Sequence, residues 1–354
     1  MNFSTRNFWF AIAGFPYWVA ILLVFSFVFF DRMGNAQQTQ GQSVSASQAI
    51  PNAEARAAEK VMSILKSIDP YHPKAELSGE FAVFGSTTMN SLANQWVQGF
   101  NKFHVNANCE LSTLKGEDAL KHLVSQPSGV VLLSRPVKPE EFEWLKGQGL
   151  KDPMQFEVGR EALAVFVHDS NPLSAVNAEQ FMTVFTTDGG DAITWGALGL
   201  VDAWAAKPVH LISRGDKSNV QTFLRDNLLV GKTLRSGKTV HDSNADLLAA
   251  IAADPTAIGI SCLRASMSQC KPLALTDGHT TIPCDDYSVL TGEYPLVRPI
   301  MLVIDAGQTG EQSQLAKEFV KFAICQEGQR KTILAGFFPI DVPLSRAQLK
   351  YLDE

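Results

Sequence analysis

The chain has 354 residues, 45% of them apolar, and a formal net charge of −6. That length and apolar share fit a globular protein with a substantial core and room for two domains. The acidic balance argues against a general nucleic-acid or anionic-membrane binder, although a local cluster of donors can still hold an anion against the global field.

Phe8 to Phe30 is an uncharged run of 23 residues, preceded by Arg6 and followed by Asp31-Arg32. At about 1.5 Å per residue it can cross a hydrocarbon core of about 30 Å. It serves either as an uncleaved transmembrane anchor, which its length favours, or as a signal cleaved near Ala36. In both cases the rest of the chain is expected outside the cytoplasm. Residues 1–33 form this anchor or signal segment. Residues 34–78 hold a Gln/Ser/Ala/Asn-rich spacer and a short amphipathic helix over Ala53–Ile68, with Ala57, Val61, Ile64 and Leu65 on one face.

From Gly79 onward, strand and helix signals alternate. Phe81–Phe84 reads as a strand, Gly85-Ser86-Thr87-Thr88 as a turn, and Met89, Leu92, Trp96 and Phe100 as a helical stripe. Val105–Thr113 reads as a strand, Lys115–Leu123 as a helix, Gly129–Leu133 as a buried strand and Lys138–Lys146 as a helix. Phe156–His168 is a long apolar strand, and Asn177–Phe185 a further element. Pro208–Ser213 reads as a strand leading through Arg214-Gly215-Asp216-Lys217 to Ser218, which has N-cap chemistry for a helix bearing Val220, Phe223, Leu224, Asn227 and Leu228. Asp242–Ala253, Ala257–Cys262, Pro295–Asp305, Gln312–Cys325 and Gln329–Leu334 complete the pattern. This alternation predicts an α/β protein with mostly parallel sheets.

Two of these strand–turn–helix units place small hydroxyl residues at a helix start. Free N–H groups there and the positive end of the helix dipole favour an anion. Arg214, beside the second turn, offers a fixed fork for an oxyanion.

These pieces, in their order, resemble the phosphate-binding, PstS-like branch of the type 2 periplasmic substrate-binding proteins. The resemblance covers about Gly79 to Ile340. It rests on GSTT at 85–88, LLSRPV at 132–137, SNPLSAVNAEQFMTVFT and the TW after it, RGDKSNVQTF at 214–223, TAIGISCL at 256–263, YPLVRP at 294–299, GQ at 328–329 and GFFPI at 336–340. It implies a two-lobed fold with hinge strands, preceded here by one N-terminal transmembrane helix. Lobe 1 would hold residues 79–168 and 285–354, and lobe 2 residues 169–284. It also implies capture of an inorganic oxyanion, phosphate above all, for an ABC permease, without chemistry and without a cofactor or metal. The ligand residues carried over are Ser86, Thr87, Thr88, Arg214 and Ser218, with Ser134 and Asn219. Several positions depart from the family pattern, and Lys115 or Gly116 stands near the usual serine of the family's Gly/Ser-rich loop, with Glu117 and Asp118 adding negative charge. Asn219 and Val220 stand where Gly and Thr usually follow the serine. Gly129 stands where the family carries an aspartate that accepts the proton of phosphate, and Asp118 is a candidate replacement. Loss of that acceptor weakens selectivity for phosphate over sulfate, because a dry site of donors alone leaves the proton unpaired. The alternative is a membrane-anchored sensory or assembly module that keeps the fold without serving transport.

Other patterns carry less. GKTLRSGKT at 231–239 has five residues between the first glycine and GK, one more than a phosphate loop needs, and reads as a basic surface turn. Asp285-Asp286 reads as a loop cap, and His122 and His210 as a helix-surface and a strand-start histidine. The five cysteines fit no zinc motif; a Cys270–Cys284 disulfide is the pairing their loop-like surroundings suggest.

Overall fold

The computed structural model describes residues 46–353, apart from 115, 188, 189, 191, 192, 238 and 266. The apolar run 8–30, the cleavage position near Ala36 and most of the spacer lie outside the described residues. Among the described residues no helix is long and apolar enough to cross a membrane.

Taken in order, the elements are α1 (Ala46–Ser67), β1 (Gly79–Gly85), α2 (Asn90–Phe100), β2 (Ala107–Thr113), α3 (Gly116–Ser125), β3 (Val130–Leu133), α4 (Pro139–Gly147) and β4 (Pro153–His168). Next come β5 (Ala175–Val176), α5 (Ala178–Phe185), β6 (His210–Arg214), α6 (Asn219–Phe223), β7 (Thr239–His241), α7 (Asn244–Ala252) and β8 (Ala257–Cys262). The chain finishes with β9 (Cys270–Pro272), β10 (Ala274–Thr276), β11 (Thr281–Ile282), α8 (Asp286–Leu290), β12 (Val297–Asp305), α9 (Glu311–Ile324), α10 (Gln326–Leu334) and α11 (Val342–Asp353).

These elements form two compact units, one of residues 51–163 and 296–354, the other holding 164–295. The chain crosses between them inside β4 and just before β12. Residues 285–295, including α8, group with the second unit.

In the first unit the sheet order is β2-β1-β3-β12-β4. β1 pairs in parallel with β2 and β3, and β12 runs antiparallel to β3 and β4. The stripe anticipated on α2 is the core face: Leu92, Ala93, Trp96 and Phe100 are buried. Trp96 lies against Phe319 and donates its indole N–H to Gly328 O (3.2 Å) and Thr332 Oγ1 (3.1 Å). β4 is buried along nearly its whole length, which explains why it reads as a continuous apolar run rather than an alternating one.

α1 packs on this unit through Ala57 and Leu65, and its end is fastened by Gln326, which donates from Nε2 to Leu65 O at 2.7 Å. The segment that follows is held by a buried polar chain. Leu77 N–H donates to His104 Nδ1 (3.0 Å), so the ring proton sits on Nε2 and is donated to Tyr71 Oη (2.7 Å). Tyr71 in turn donates to Glu318 Oε2 (2.9 Å). Burial holds His104 below its ordinary value, against an upward pull from Glu318 and Glu76. The neutral ring therefore stabilises the fold in full above the unfolded-state value, about 6.5, and this contribution is lost as pH falls through the depressed folded value. The slope of melting temperature against pH below about 6.5 should flatten in His104→Gln; an unchanged slope would show that another group titrates there.

In the second unit β4 is followed by β8, β6 and β7. β6 is parallel to both β7 and β8, and β9 runs antiparallel to the end of β4. A small separate sheet has the order β11-β10-β5.

The expected Cys270–Cys284 disulfide does not form: all five cysteines are free thiols. Cys270 is directed elsewhere, its Sγ donating to Leu248 O at 3.3 Å, and burial pushes it up to about 11. Cys284 hydrogen-bonds Tyr294, and burial pushes it up to about 12. Each thiol has its own partner elsewhere in the chain.

Candidate functional site

Parallel β/α sheets gather their ligand-facing loops at the carboxyl ends of the strands. In the first unit the register pairs Gly85 with Thr113 and with Leu132, so the loops after β1, β2 and β3 share one edge. The loop after β1 forms a 3-10 turn over Thr87–Met89, closed by Met89 N–H on Ser86 O at 2.9 Å. The Ser86 and Thr88 hydroxyls are 2.8 Å apart, and Thr88 is exposed. No side chain caps the start of α2, so this helix start is flanked by hydroxyls rather than closed by one. The loop is tied to the neighbouring strand by Leu114 N–H on Gly85 O (2.7 Å) and by Asn90 Nδ2–H on Thr113 Oγ1 (3.2 Å). Ser134 follows β3 at the same edge and is buried.

Arg135, next in sequence, is committed to structure. It meets the Glu141 carboxylate with two nitrogens, at 2.7 and 2.6 Å. Burial pushes the Glu141 carboxyl up, but its bonds with Arg135 and the Lys138 N–H outweigh this and hold it below the usual range. Gly129 is equally structural. A Cβ there would stand 2.5 Å from the Phe84 ring, which itself lies edge-on to His122 with centroids 4.5 Å apart. Phe84 thus fills the space next to Gly129. Asp118 is exposed and pairs with Lys121 at 3.7 Å.

In the second unit β6 and β7 end together, with Arg214 opposite His241. Arg214 is only 7% exposed. Its Nε–H donates to His241 O (3.1 Å), Nη2 to Asp242 O and Nη1 to Asn244 Oδ1. Ser218 is the N-cap of α6, as its position predicts, accepting from Gln221 N–H at 3.2 Å. Asn219 is the first residue of that helix and half-buried. The helix differs from the expected uniform one: after five residues it passes into a π turn over Leu224–Leu228. That widening explains why Asn227 falls among apolar positions in the sequence pattern.

The structure thus places Ser86, Thr87, Thr88 and Ser134 on the first unit's carboxyl edge, and Arg214, Ser218 and Asn219 on the second's. The partners of Arg214 at 241–244 escaped the sequence reading. The local signal there is the Ser243 cap, which accepts from Asp246 N–H at 3.0 Å. It marks the helix start but not its neighbour across the sheet.

The remaining patterns are structural. Arg235, in the basic turn, donates to Val184 O, Thr186 O and Gly190 O at 3.1, 2.7 and 2.6 Å, closing the end of α5. Asp285 caps α8 through Ser288 N–H (2.8 Å), and Asp286 pairs with Arg264 (2.8 Å). His210 Nδ1 meets Asp254 Oδ2 at 2.6 Å at the start of β6.

A family model described as a PBP superfamily domain matches residues 70–327. The phosphate-binding protein PstS of Pseudomonas aeruginosa is 24% identical over 303 residues, covering 84% of this chain and 94% of the relative. The crystal structure of an ABC-type phosphate transport receptor from Vibrio cholerae superposes with a TM-score of 0.60 at 15% identity, covering 73% of this chain and all of that one. A phosphate-bound putative phosphate ABC transporter substrate-binding protein from Clostridium perfringens gives a TM-score of 0.58 at 20% identity, covering 74% of this chain and 100% of that one. The resemblance carried by the ordered motifs therefore extends through most of the chain, in sequence and in fold: this protein belongs to the PBP superfamily.

Proposed function

We propose that this protein is an extracytoplasmic solute-binding protein that captures inorganic phosphate for an ABC-type importer. The observation that carries the reading is the Ser86–Thr88 hydroxyl pair, 2.8 Å apart at a helix start that no side chain caps. The residues we assign to binding are Ser86, Thr87, Thr88 and Ser134 as hydrogen-bond donors and Arg214 as the source of charge, with Ser218 and Asn219 at the start of α6. Ser218 accepts the capping bond, and its O–H hydrogen is the one that donates to the anion. The protein binds and releases its ligand unchanged and is not an enzyme. Residues 8–30 anchor it to the membrane, unless they are removed by cleavage near Ala36. The Pseudomonas aeruginosa relative, matched over 94% of its length, is named for phosphate binding, which supports the choice of anion.

A second reading is favoured by one observation. The Phe84 ring packs against Gly129, where the family's acceptor would stand. A chain that no longer discriminates protonated phosphate suits a membrane-anchored sensory or assembly module built on the same fold.

Calorimetric titration of the full chain with phosphate, then sulfate, separates the two. Capture predicts phosphate binding that Arg214→Ala weakens by about 100-fold, the worth of one or two charge-assisted hydrogen bonds. Arg214→Lys, which keeps the charge but not the fork, should fall in between. Stronger binding of sulfate than phosphate would assign the specificity change to Gly129. No heat with either anion in a folded protein would leave the module reading standing.

A further inference from the structure

Resting on the capture function, we propose that Asn244 is a positioning residue for Arg214. It orients the guanidinium through a neutral acceptor, which adds no negative charge of its own beside it.

Asn244 is the first residue of α7, directly after the Ser243 cap. Its Oδ1 accepts from Arg214 Nη1, and its Nδ2–H donates to Cys262 Sγ at 3.1 Å. The amide therefore bridges the carboxyl ends of β6 and β8, and its orientation is fixed from both sides. Its oxygen must face Arg214, because an amide nitrogen can only donate. Two further bonds, to His241 O and Asp242 O, end on uncharged oxygens.

This choice of partners has an electrostatic consequence. A carboxylate at 244 would hold the guanidinium as firmly but would compete with the ligand for its charge at close range, where burial amplifies the effect. An amide gives the geometry without the competition. The surroundings add polar capacity on the same part of the sheet. His241 Nε2 and Ser261 Oγ are both buried without a hydrogen-bond partner among the described residues. Ser261 lies two residues beyond the Ile212–Gly259 pairing of β6 with β8, and His241 is opposite Arg214 on β7.

The test compares the full-length protein with Asn244→Ala and Asn244→Asp by two readouts. The first is solvent exchange of the Arg214 guanidinium N–H signals by NMR, assigned through their loss in Arg214→Lys. The second is calorimetric titration with inorganic phosphate. In Asn244→Ala, exchange should speed up and phosphate affinity should fall, each by about tenfold, as for loss of one charge-assisted hydrogen bond. In Asn244→Asp, exchange should stay as slow as in the wild type while phosphate affinity falls by tenfold or more. A residue that merely supports the helix start would show wild-type affinity in the Asp variant, because a carboxylate in the first turn of a helix is favourable. Wild-type exchange in Asn244→Ala, or wild-type phosphate affinity in Asn244→Asp, overturns the proposal. If Asn244→Ala does not fold, the Asp variant decides it alone. If the wild type binds no phosphate, the capture function fails. The exchange comparison then decides whether Asn244 positions Arg214.

Discussion

Arg298→Met is expected to lower the free energy of unfolding by about 3–5 kcal/mol, the cost of leaving a buried carboxylate without its partner. Arg298 is 3% exposed and sits on β12 opposite Glu161 of β4. Its Nε donates to Glu161 Oε2 at 2.6 Å, and Nη2 meets the same oxygen. The third nitrogen, Nη1, is buried with no hydrogen-bond partner among the described residues, so the pair is not a fully satisfied network. This predicts an asymmetry between variants. Removing the cation alone takes away the charged partner of Glu161. Removing both groups, in Arg298→Met with Glu161→Leu, replaces an expensively desolvated pair by apolar contacts. The double variant should recover to within about 1–2 kcal/mol of the wild type or exceed it. Urea denaturation of the two single variants and the double variant measures the coupling. A single Arg298→Met variant as stable as the wild type would show that water reaches Glu161 and that the pair is not desolvated.

Gly328→Ala should cost about 3 kcal/mol or more, at the upper end of overpacking penalties, because the added atom meets backbone rather than a movable side chain. α9 ends at Ile324 and α10 begins at Gln326, so the first turn of α10 lies on the last turn of α9. A Cβ on Gly328 would stand 2.0 Å from Phe322 O and 2.6 Å from Ala323 Cα. Relief would require the two helices to separate, which would also pull Gly328 O away from the Trp96 indole that donates to it. Gly147, at the end of α4, is the control: nothing lies within 4 Å of its Cβ position. Gly147→Ala should leave stability unchanged within about 0.5 kcal/mol. Thermal melts of both variants test the pair. Equal melting temperatures would mean that the α9–α10 junction yields without cost.

Much of the α/β architecture is legible without coordinates, and the reason is local. Helix starts announce themselves through short-range chemistry: Asn177, Ser218 and Asp285 each accept the N–H three residues on. Strands such as β4 and β8 are read from apolar runs bounded by turn residues. The stripe of α2 repeats with the helical period, so its buried face could be named in advance. The family's ordered motifs then joined these pieces into one fold. Gly328 was part of such a motif, but only the approach of two consecutive helices gives its physical reason.

Contacts between residues distant in sequence were decided by tertiary structure. α11 was not anticipated as a separate helix, and its place depends on Gln348, which accepts from Glu157 N–H (2.7 Å) and donates to Glu157 O (2.8 Å), 191 positions away. Two loop-like cysteines suggested a disulfide, but Cys270 and Cys284 face different neighbours, and sequence surroundings cannot show the direction of a side chain. The sequence by itself determined which residues carry donors and charge: Ser86, Thr87, Thr88, Ser134, Arg214 and Ser218. Tertiary structure decided what those groups meet. Phe84 occupies the space beside Gly129, and the 241–244 segment surrounds Arg214, because parallel register sets side by side strands whose sequences carry no record of one another.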